Sequence, residues 1–210
     1  MQGVHEVVHP LIGRHLTVLR CEQTRPAEFR SSVRRLATLL AYEATKDLST
    51  RTSEVKTPVA AAEGYELTDR IGLVPILRAG LGMVDPVLDL IPSAEVWHLG
   101  LYRDEETAQP VRYYDKLPPG KPVDTALVLD PMLATGGSAV AALQTLYEWG
   151  VGRAKVLSLI ASQEGVDAVA ERFPQAQLYV CKVDPVLNDQ KFIVPGLGDA
   201  GDRSFNTVIH

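Results

Sequence analysis

The segment Val128-Leu-Asp-Pro-Met-Leu-Ala-Thr-Gly-Gly-Ser138 carries residue types that could hold a phosphorylated sugar. An apolar run ends in Asp130, whose carboxylate can accept hydrogen bonds from hydroxyls. Pro131, Met132 and Leu133 lead into Ala134-Thr-Gly-Gly-Ser138, where small residues let backbone approach an oxyanion closely. A helix starting at Gly137 would point free N–H groups and its positive dipole end at that anion. The hydroxyls of Thr135 and Ser138, on either side of Gly136 and Gly137, add donors. Alone, Thr135 to Ser138 reads equally well as a plain strand-to-helix turn with an N-cap serine. The preceding strand, the terminal Asp and the helix start together favour phosphate. No lysine precedes the final hydroxyl residue, and the pattern is not G-x-G-x-x-G, so Walker and dinucleotide loops are disfavoured.

Such a loop needs a parallel sheet, because ligands gather at the carboxyl ends of parallel strands. The chain supplies the alternation of strands and helices that builds one. Ile71 to Leu77, Glu95 to Leu101, Thr125 to Leu129, Ala154 to Ala161 and Gln177 to Cys181 read as strands. The first clear helix opens at Arg25-Pro26, carries Phe29, Val33, Leu36, Leu40 and Ala44 at helical spacing, and ends near Leu48. Helices also fit Met83 to Ile91, Gly137 to Trp149 with Gly150 as stop, and Glu164 to Phe173 with Pro174 as stop. The expectation is an α/β fold: a parallel sheet with helices on both faces. Around residues 52–67, two short extended pieces predict an antiparallel arm. Tyr102 to Pro122 is polar and without clear pattern, which marks a functional loop. The tail from Asp184 to His210, rich in Gly, Pro and Asp, breaks the alternation and reads as a cap.

The 210 residues are 46% hydrophobic, which suits one domain with a sizeable core. Basic residues number 21 against 26 acidic, a net −5, which argues against bulk binding to nucleic acid. No apolar run approaches the ~20 residues of a membrane span. The N-terminus lacks a signal-peptide pattern, so a cytoplasmic location is expected. Cys21 and Cys181 have no metal-ligand spacing and read as two reduced, buried thiols. His98 reads as a core residue within a strand, and Trp97 and Trp149 as packing.

Asp130 to Ser138 resembles the phosphoribosyl-diphosphate loop of type I phosphoribosyltransferases, in its uracil phosphoribosyltransferase form. Pro75-Ile-Leu-Arg-Ala-Gly-Leu-Gly-Met83, Tyr102-Arg-Asp-Glu-Glu-Thr107 and Ile193-Val-Pro-Gly-Leu-Gly-Asp-Ala-Gly-Asp-Arg203 resemble further motifs of that family. His9-Pro-Leu11 and Tyr42-Glu-Ala-Thr45 agree. The resemblance implies a type I core over residues 1–210 as a single domain. It further implies a β-arm at about 52–67, a flexible loop at about 102–122 and a C-terminal hood at about 184–210. It implies the reaction of uracil with 5-phospho-α-D-ribose 1-diphosphate (PRPP) to give UMP and diphosphate. PRPP would be held by Arg78, Arg103, the whole run Asp130 to Ser138, and Asp199. Uracil would be read by backbone at Ile193 and at Gly198-Asp-Ala200. Arg78, Arg103 and Asp199 would be the catalytic residues, with one cis peptide bond in the Arg78 loop. Magnesium would be bound mainly through PRPP and water, with no protein ligand set of its own. The resemblance also implies possible activation by GTP as an allosteric effector and assembly as a homodimer or higher homo-oligomer. No nucleic acid and no membrane would be partners.

Three positions depart from the pattern. The family commonly has Gly-Tyr where this chain has Lys191-Phe192, and Gly where it has Asn206. Lysine adopts a left-handed backbone less cheaply than glycine, so the edge of the base pocket is the part most altered. Without the resemblance, Arg103 beside Asp104, Glu105 and Glu106 reads as a solvated loop charge. Two other functions stay open at this level: a regulatory RNA-binding protein that keeps the fold, and an enzyme for orotate or a purine. Orotate's carboxylate would need a cation, and Lys191 is the candidate.

Overall fold

The computed structural model describes residues 3–103, 110–115 and 117–207. In chain order the elements are β1 (Val4–Glu6), α1 (Pro10–Arg20), α2 (Pro26–Ala44), β2 (Thr50–Lys56), β3 (Ala61–Leu67), β4 (Ile71–Pro75) and α3 (Leu81–Leu90). Then come β5 (Glu95–Val96), β6 (Leu99–Arg103), β7 (Pro110–Asp115), β8 (Thr125–Leu129), β9 (Met132–Leu133) and α4 (Gly137–Trp149). The chain finishes with β10 (Arg153–Ser162), α5 (Gln163–Arg172), β11 (Gln177–Asp184), β12 (Val186–Leu187), β13 (Ile193–Val194) and α6 (Ala200–Phe205).

The main sheet runs β1-β11-β10-β8-β4-β5 with every neighbour parallel, and β9 extends the β10 edge beyond β8. Its central strands are buried along their whole length, which is why they read as unbroken apolar runs. Successive side chains point to opposite faces. Leu73, Leu127, Leu129 and Leu157 join α1, α2 and α3 in one core, while Val74, Val128 and Val156 join α4 and α5 in the other. The expected α/β architecture with helices on both faces is therefore the one observed.

Several expectations change. A helix precedes the first expected one: α1 opens with Pro10 at its first turn and is capped by His9, whose Nδ1 accepts from Leu11 N at 3.1 Å. Histidine is not among the preferred N-caps, and Gly13 weakens the helical signal. Helix α2 stops at Ala44, short of Leu48. The strand expected at Glu95 to Leu101 divides: β5 ends at Val96, and β6 leaves the sheet to pair antiparallel with β7. His98 lies between the two pieces and is exposed, so it is not a core residue. The polar stretch 102–122 thus contains a strand, β7, that its polar sequence hid; residues 104–109 and 116 lie outside the described part. The arm is a regular hairpin, β2 against β3, in register from Thr50↔Leu67 to Lys56↔Ala61. Cys181 is buried and its thiol is pushed up to about 12 by desolvation, but Cys21 is exposed. Trp97 and Trp149 pack edge-to-face at 5.9 Å, as expected. Among the described residues, no helix is long and apolar enough to cross a membrane.

Candidate active site

The carboxyl ends of β4, β8 and β10 carry the loops singled out in the sequence. Asp130 follows β8 directly, and its N–H donates to Leu157 O on β10 at 3.2 Å. One carboxylate oxygen accepts Met132 N at 3.2 Å. Met132 and Leu133 form β9, aligned with Ile160 and Ala161 of β10, so the cradle starts as sheet rather than free loop. Ser162, the N-cap of α5, donates from Oγ to Ala134 O at 2.5 Å and accepts Gly165 N at 2.9 Å. Gly136 then turns the chain at φ +79°; a Cβ there would lie 2.9 Å from Gly165 O. Only glycine fits both the dihedral and the approach of α5.

Gly136 is also the N-cap of α4, so no capping side chain accepts the first N–H groups of that helix. They remain free for an external acceptor. Asp130 and the backbone of residues 132–139 enclose a hollow of about 140 Å³ there. The Asp130 carboxyl is pushed up to about 7, chiefly by burial, with the Asp199 carboxylate adding to the rise and the Met132 N–H opposing it. Two acids that repel at this edge are what a cation or hydroxyl donors would relieve.

The second loop follows β4. Ile76 N donates to Leu129 O at 3.0 Å, which holds the start of this loop beside the end of β8. The Leu77–Arg78 peptide is cis. Arg78 is exposed, and its Nη2 donates to Asp202 Oδ1 of α6 at 3.0 Å.

The tail folds back over this edge. β12 and β13 pair antiparallel, the Val194–Pro195 bond is cis, and α6 begins at Ala200. Asp199 is its N-cap and accepts Asp202 N at 2.8 Å. A Cβ on Gly201 would lie 3.1 Å from Asp199 Oδ1 and 3.9 Å from Arg78 Nη2, so these two groups share one corner. Ile193 and Ala200 are buried, while Gly198, at φ +74°, is exposed. Lys191 has φ +64° and Asn206 φ +57°, the left-handed conformations that glycine would take more cheaply. The Lys191 ammonium lies 3.6 Å from Glu164 of α5.

The sequence-identified residues Arg78, Asp130 to Ser138, Ile193 and Gly198-Asp-Ala200 thus gather at one end of the sheet. Arg103 closes β6 opposite Pro110, and its guanidinium lies outside the described part. At the level of the sequence Ser162 and Arg20 are not assigned to this end, and Asp184 and Arg203 fall within the tail without a role of their own. Of these, only Ser162 carries a local signal, as an N-cap serine before a helix.

A parallel α/β sheet with a small-residue loop and an uncapped helix start after a central strand, a tight arginine loop after its neighbour and a tail folded over both belongs to the type I phosphoribosyltransferase class. A solved structure from Aquifex aeolicus, the AQ2163 protein, superposes at TM-score 0.92 with 36% identity, over 99% of this chain and 100% of that one. The hypoxanthine phosphoribosyltransferase of Trypanosoma cruzi superposes at 0.50 with 13% identity, over 75% of this chain and 76% of that one, a likeness of fold alone. Within the class, the profile of the uracil phosphoribosyltransferase family matches residues 6–207. The uracil phosphoribosyltransferase of Roseiflexus castenholzii is 59% identical over 207 residues, covering 99% of this chain and 100% of that protein. That of Symbiobacterium thermophilum is 51% identical over 208 residues, again covering 99% and 100%. The chain belongs to the uracil phosphoribosyltransferase family.

Proposed function

We propose that this chain transfers the phosphoribosyl group of PRPP to uracil, releasing diphosphate and forming UMP. The observation that carries the reading is the convergence of the Asp130–Ser138 cradle, the Arg78 loop and the 193–200 turn at one sheet end. The free N–H groups at the start of α4, with the hydroxyls of Thr135 and Ser138, suit the 5′-phosphate. Asp130 suits the ribose hydroxyls, because an ionised carboxylate accepts two hydrogen bonds from a diol. Arg78, and Arg103 from β6, suit the diphosphate, whose negative charge grows as its bond to the ribose carbon breaks. Uracil attacks that carbon from the opposite face, a carbon–nitrogen bond replaces the carbon–oxygen bond, and the uracil N–H proton is lost. Ile193 and Gly198 to Ala200 offer backbone groups that match the donor–acceptor edge of uracil.

Magnesium fits these donors: Asp130 and Asp199 are hard oxygen acceptors, and the Asp199 carboxylate is close enough to raise the cost of ionising Asp130. Brought in with the diphosphate and its water shell, the ion would neutralise leaving-group charge beside Asp199. The Lys191–Glu164 pair supports uracil over orotate, since it turns the ammonium named above for orotate's carboxylate toward α5. A homodimer is part of the reading, supported by a hairpin that exposes Val55, Val59, Tyr65 and Leu67. So is activation by GTP, which rests on the family alone.

The deciding experiment offers uracil, orotate, hypoxanthine and xanthine separately to the protein with PRPP and Mg²⁺, with and without GTP, and measures the nucleotide formed. UMP from uracil alone is expected. No UMP under any of these conditions would overturn the reading.

A further inference from the structure

Asp184, the last residue of β11, is 3% exposed, and a carboxylate is stable at such burial only when paired and hydrogen-bonded. Its partners are specific. Arg20, at the end of α1, donates from Nη2 to Oδ1 at 2.7 Å and from Nη1 to Oδ2 at 2.9 Å, a two-pronged pair. The same Oδ2 accepts Gly196 N at 3.1 Å, and the same Nη1 donates to Gly196 O at 2.8 Å. One ion pair therefore holds both the N–H and the C=O of a single residue in the turn after β13. Gly196 is at φ +63°, and a Cβ there would lie 2.0 Å from Ile193 O, so the turn folds on itself at this point. The next carbonyl, Leu197 O, accepts Arg203 Nη1 at 2.6 Å, and Arg203 is tied in turn to Leu19 O and Cys21 O. The turn is thus braced on the carboxyl end of α1. The residues on either side of the braced peptides, Ile193 and Gly198-Asp-Ala200, are those read above as the uracil contacts.

We infer that Asp184 and Arg20 are positioning residues for the base: their ion pair fixes the backbone of the 193–198 turn so that its uracil-reading groups are set before the base arrives. This rests on the reading of that turn as the uracil pocket. Neither residue belongs to the phosphate cradle, and Asp199, read above as a PRPP contact, is held separately as the N-cap of α6, so losing the brace weakens uracil and leaves PRPP alone. A ligand-reading backbone that must be ordered on binding loses affinity, which is what preorganisation avoids. Lysine at position 20 keeps the charge but lacks the planar fork that spans carboxylate and carbonyl together.

The test uses the full chain as Arg20→Lys and Asp184→Asn. Arg20→Lys is the variant expected to fold normally, since the side chain of Arg20 is only partly buried. In steady-state kinetics, the KM for uracil is expected to rise about tenfold in either variant, with the KM for PRPP unchanged within about twofold. In parallel, hydrogen exchange of the wild type and Arg20→Lys is followed by mass spectrometry, and amides in 193–200 are expected to exchange about tenfold faster in the variant. If Arg20→Lys leaves both the uracil KM and that exchange unchanged, the inference is overturned. It is also overturned if both KM values rise together, because the pair would then serve the fold generally. Wild type that forms no UMP while Arg20→Lys speeds exchange in 193–200 would remove the uracil reading and retain the brace.

Discussion

Replacing Asp130 by asparagine separates what this residue does for the fold from what it does for the ligand. A carboxyl held at about 7 rather than 3.8 binds its proton more tightly in the folded chain than in the unfolded one. Stability therefore falls as pH rises from about 4 to 7 and is flat above, the reverse of a salt-bridged aspartate. Fully expressed, the shift is worth about 4 kcal/mol above pH 7. Asp130 is only half-buried, and water reaching it brings the expected penalty at pH 8 to about 1–3 kcal/mol. Asparagine keeps the shape and cannot ionise. Its advantage over the wild type, measured without ligands, should grow by about 1–2 kcal/mol between pH 5 and pH 8, or about 2–8 °C in Tm for a chain of this size. The assay is thermal unfolding of both proteins at half-unit pH steps in matched ionic strength. The same variant should lose at least about tenfold in kcat/KM for PRPP, since asparagine keeps one acceptor oxygen but puts an uncharged NH2 donor where the second ribose hydroxyl would be accepted. An asparagine variant whose Tm advantage is absent, or equal at pH 5 and pH 8, would refute the claim that burial and Asp199 raise this carboxyl.

Asp199→Asn should cut turnover by more than about tenfold and move the pH-dependent loss of stability to lower pH, because it removes a charge that raises Asp130; turnover assays and the same thermal titration read both. Gly136→Ala places a Cβ against Gly165 O at a positive φ, and should cost about 2–4 kcal/mol by denaturant unfolding, with PRPP affinity falling alongside. Lys191→Gly relieves a left-handed lysine at the expense of a weak exposed ion pair, and should raise Tm by about 1–2 °C; Asn206→Gly should gain less, because asparagine tolerates that conformation.

What could be read from the residues, and what could not, follows from how far apart the interacting groups lie in the chain. The cradle is contiguous: an apolar strand, a turn of small residues and a helix stopped by Gly150, which takes φ +104°. Each part is dictated by local rules of period, dihedral and capping, so the segment declares itself. The left-handed positions 191 and 206 are marked by the resemblance and not by local rules, since the family has glycine where this chain has Lys191 and Asn206. By contrast β7 opens on proline and sets Val111, Tyr113 and Tyr114 among charged residues in a long polar stretch, and β1 has only three residues, so neither shows a clear period. The resemblance supplied the Arg78 and tail motifs but said nothing of what supports them. Ser162 reaches Ala134 across 28 residues, and Arg20 reaches Asp184 across 164. No local pattern marks an arginine as the partner of a distant carboxylate.

That difference bears on how the site divides its work. The end proposed for phosphate and ribose is built by β8, β9 and the start of α4, so any chain that folds the central strands also folds this loop. The 193–198 turn lies beyond the last strand of the sheet and contains two positive-φ glycines and a cis bond before proline. Its own sequence does not hold it; Arg20, Asp184 and Arg203 do, from α1, β11 and α6. Substitutions near the cradle should therefore act on PRPP and on the fold together, because the same strands serve both. Substitutions at the braces should act on the acceptor base first. On this view acceptor specificity depends on residues that never touch the base, and changing the base accepted would require rebuilding the contacts of α1 with the tail as well as the turn itself.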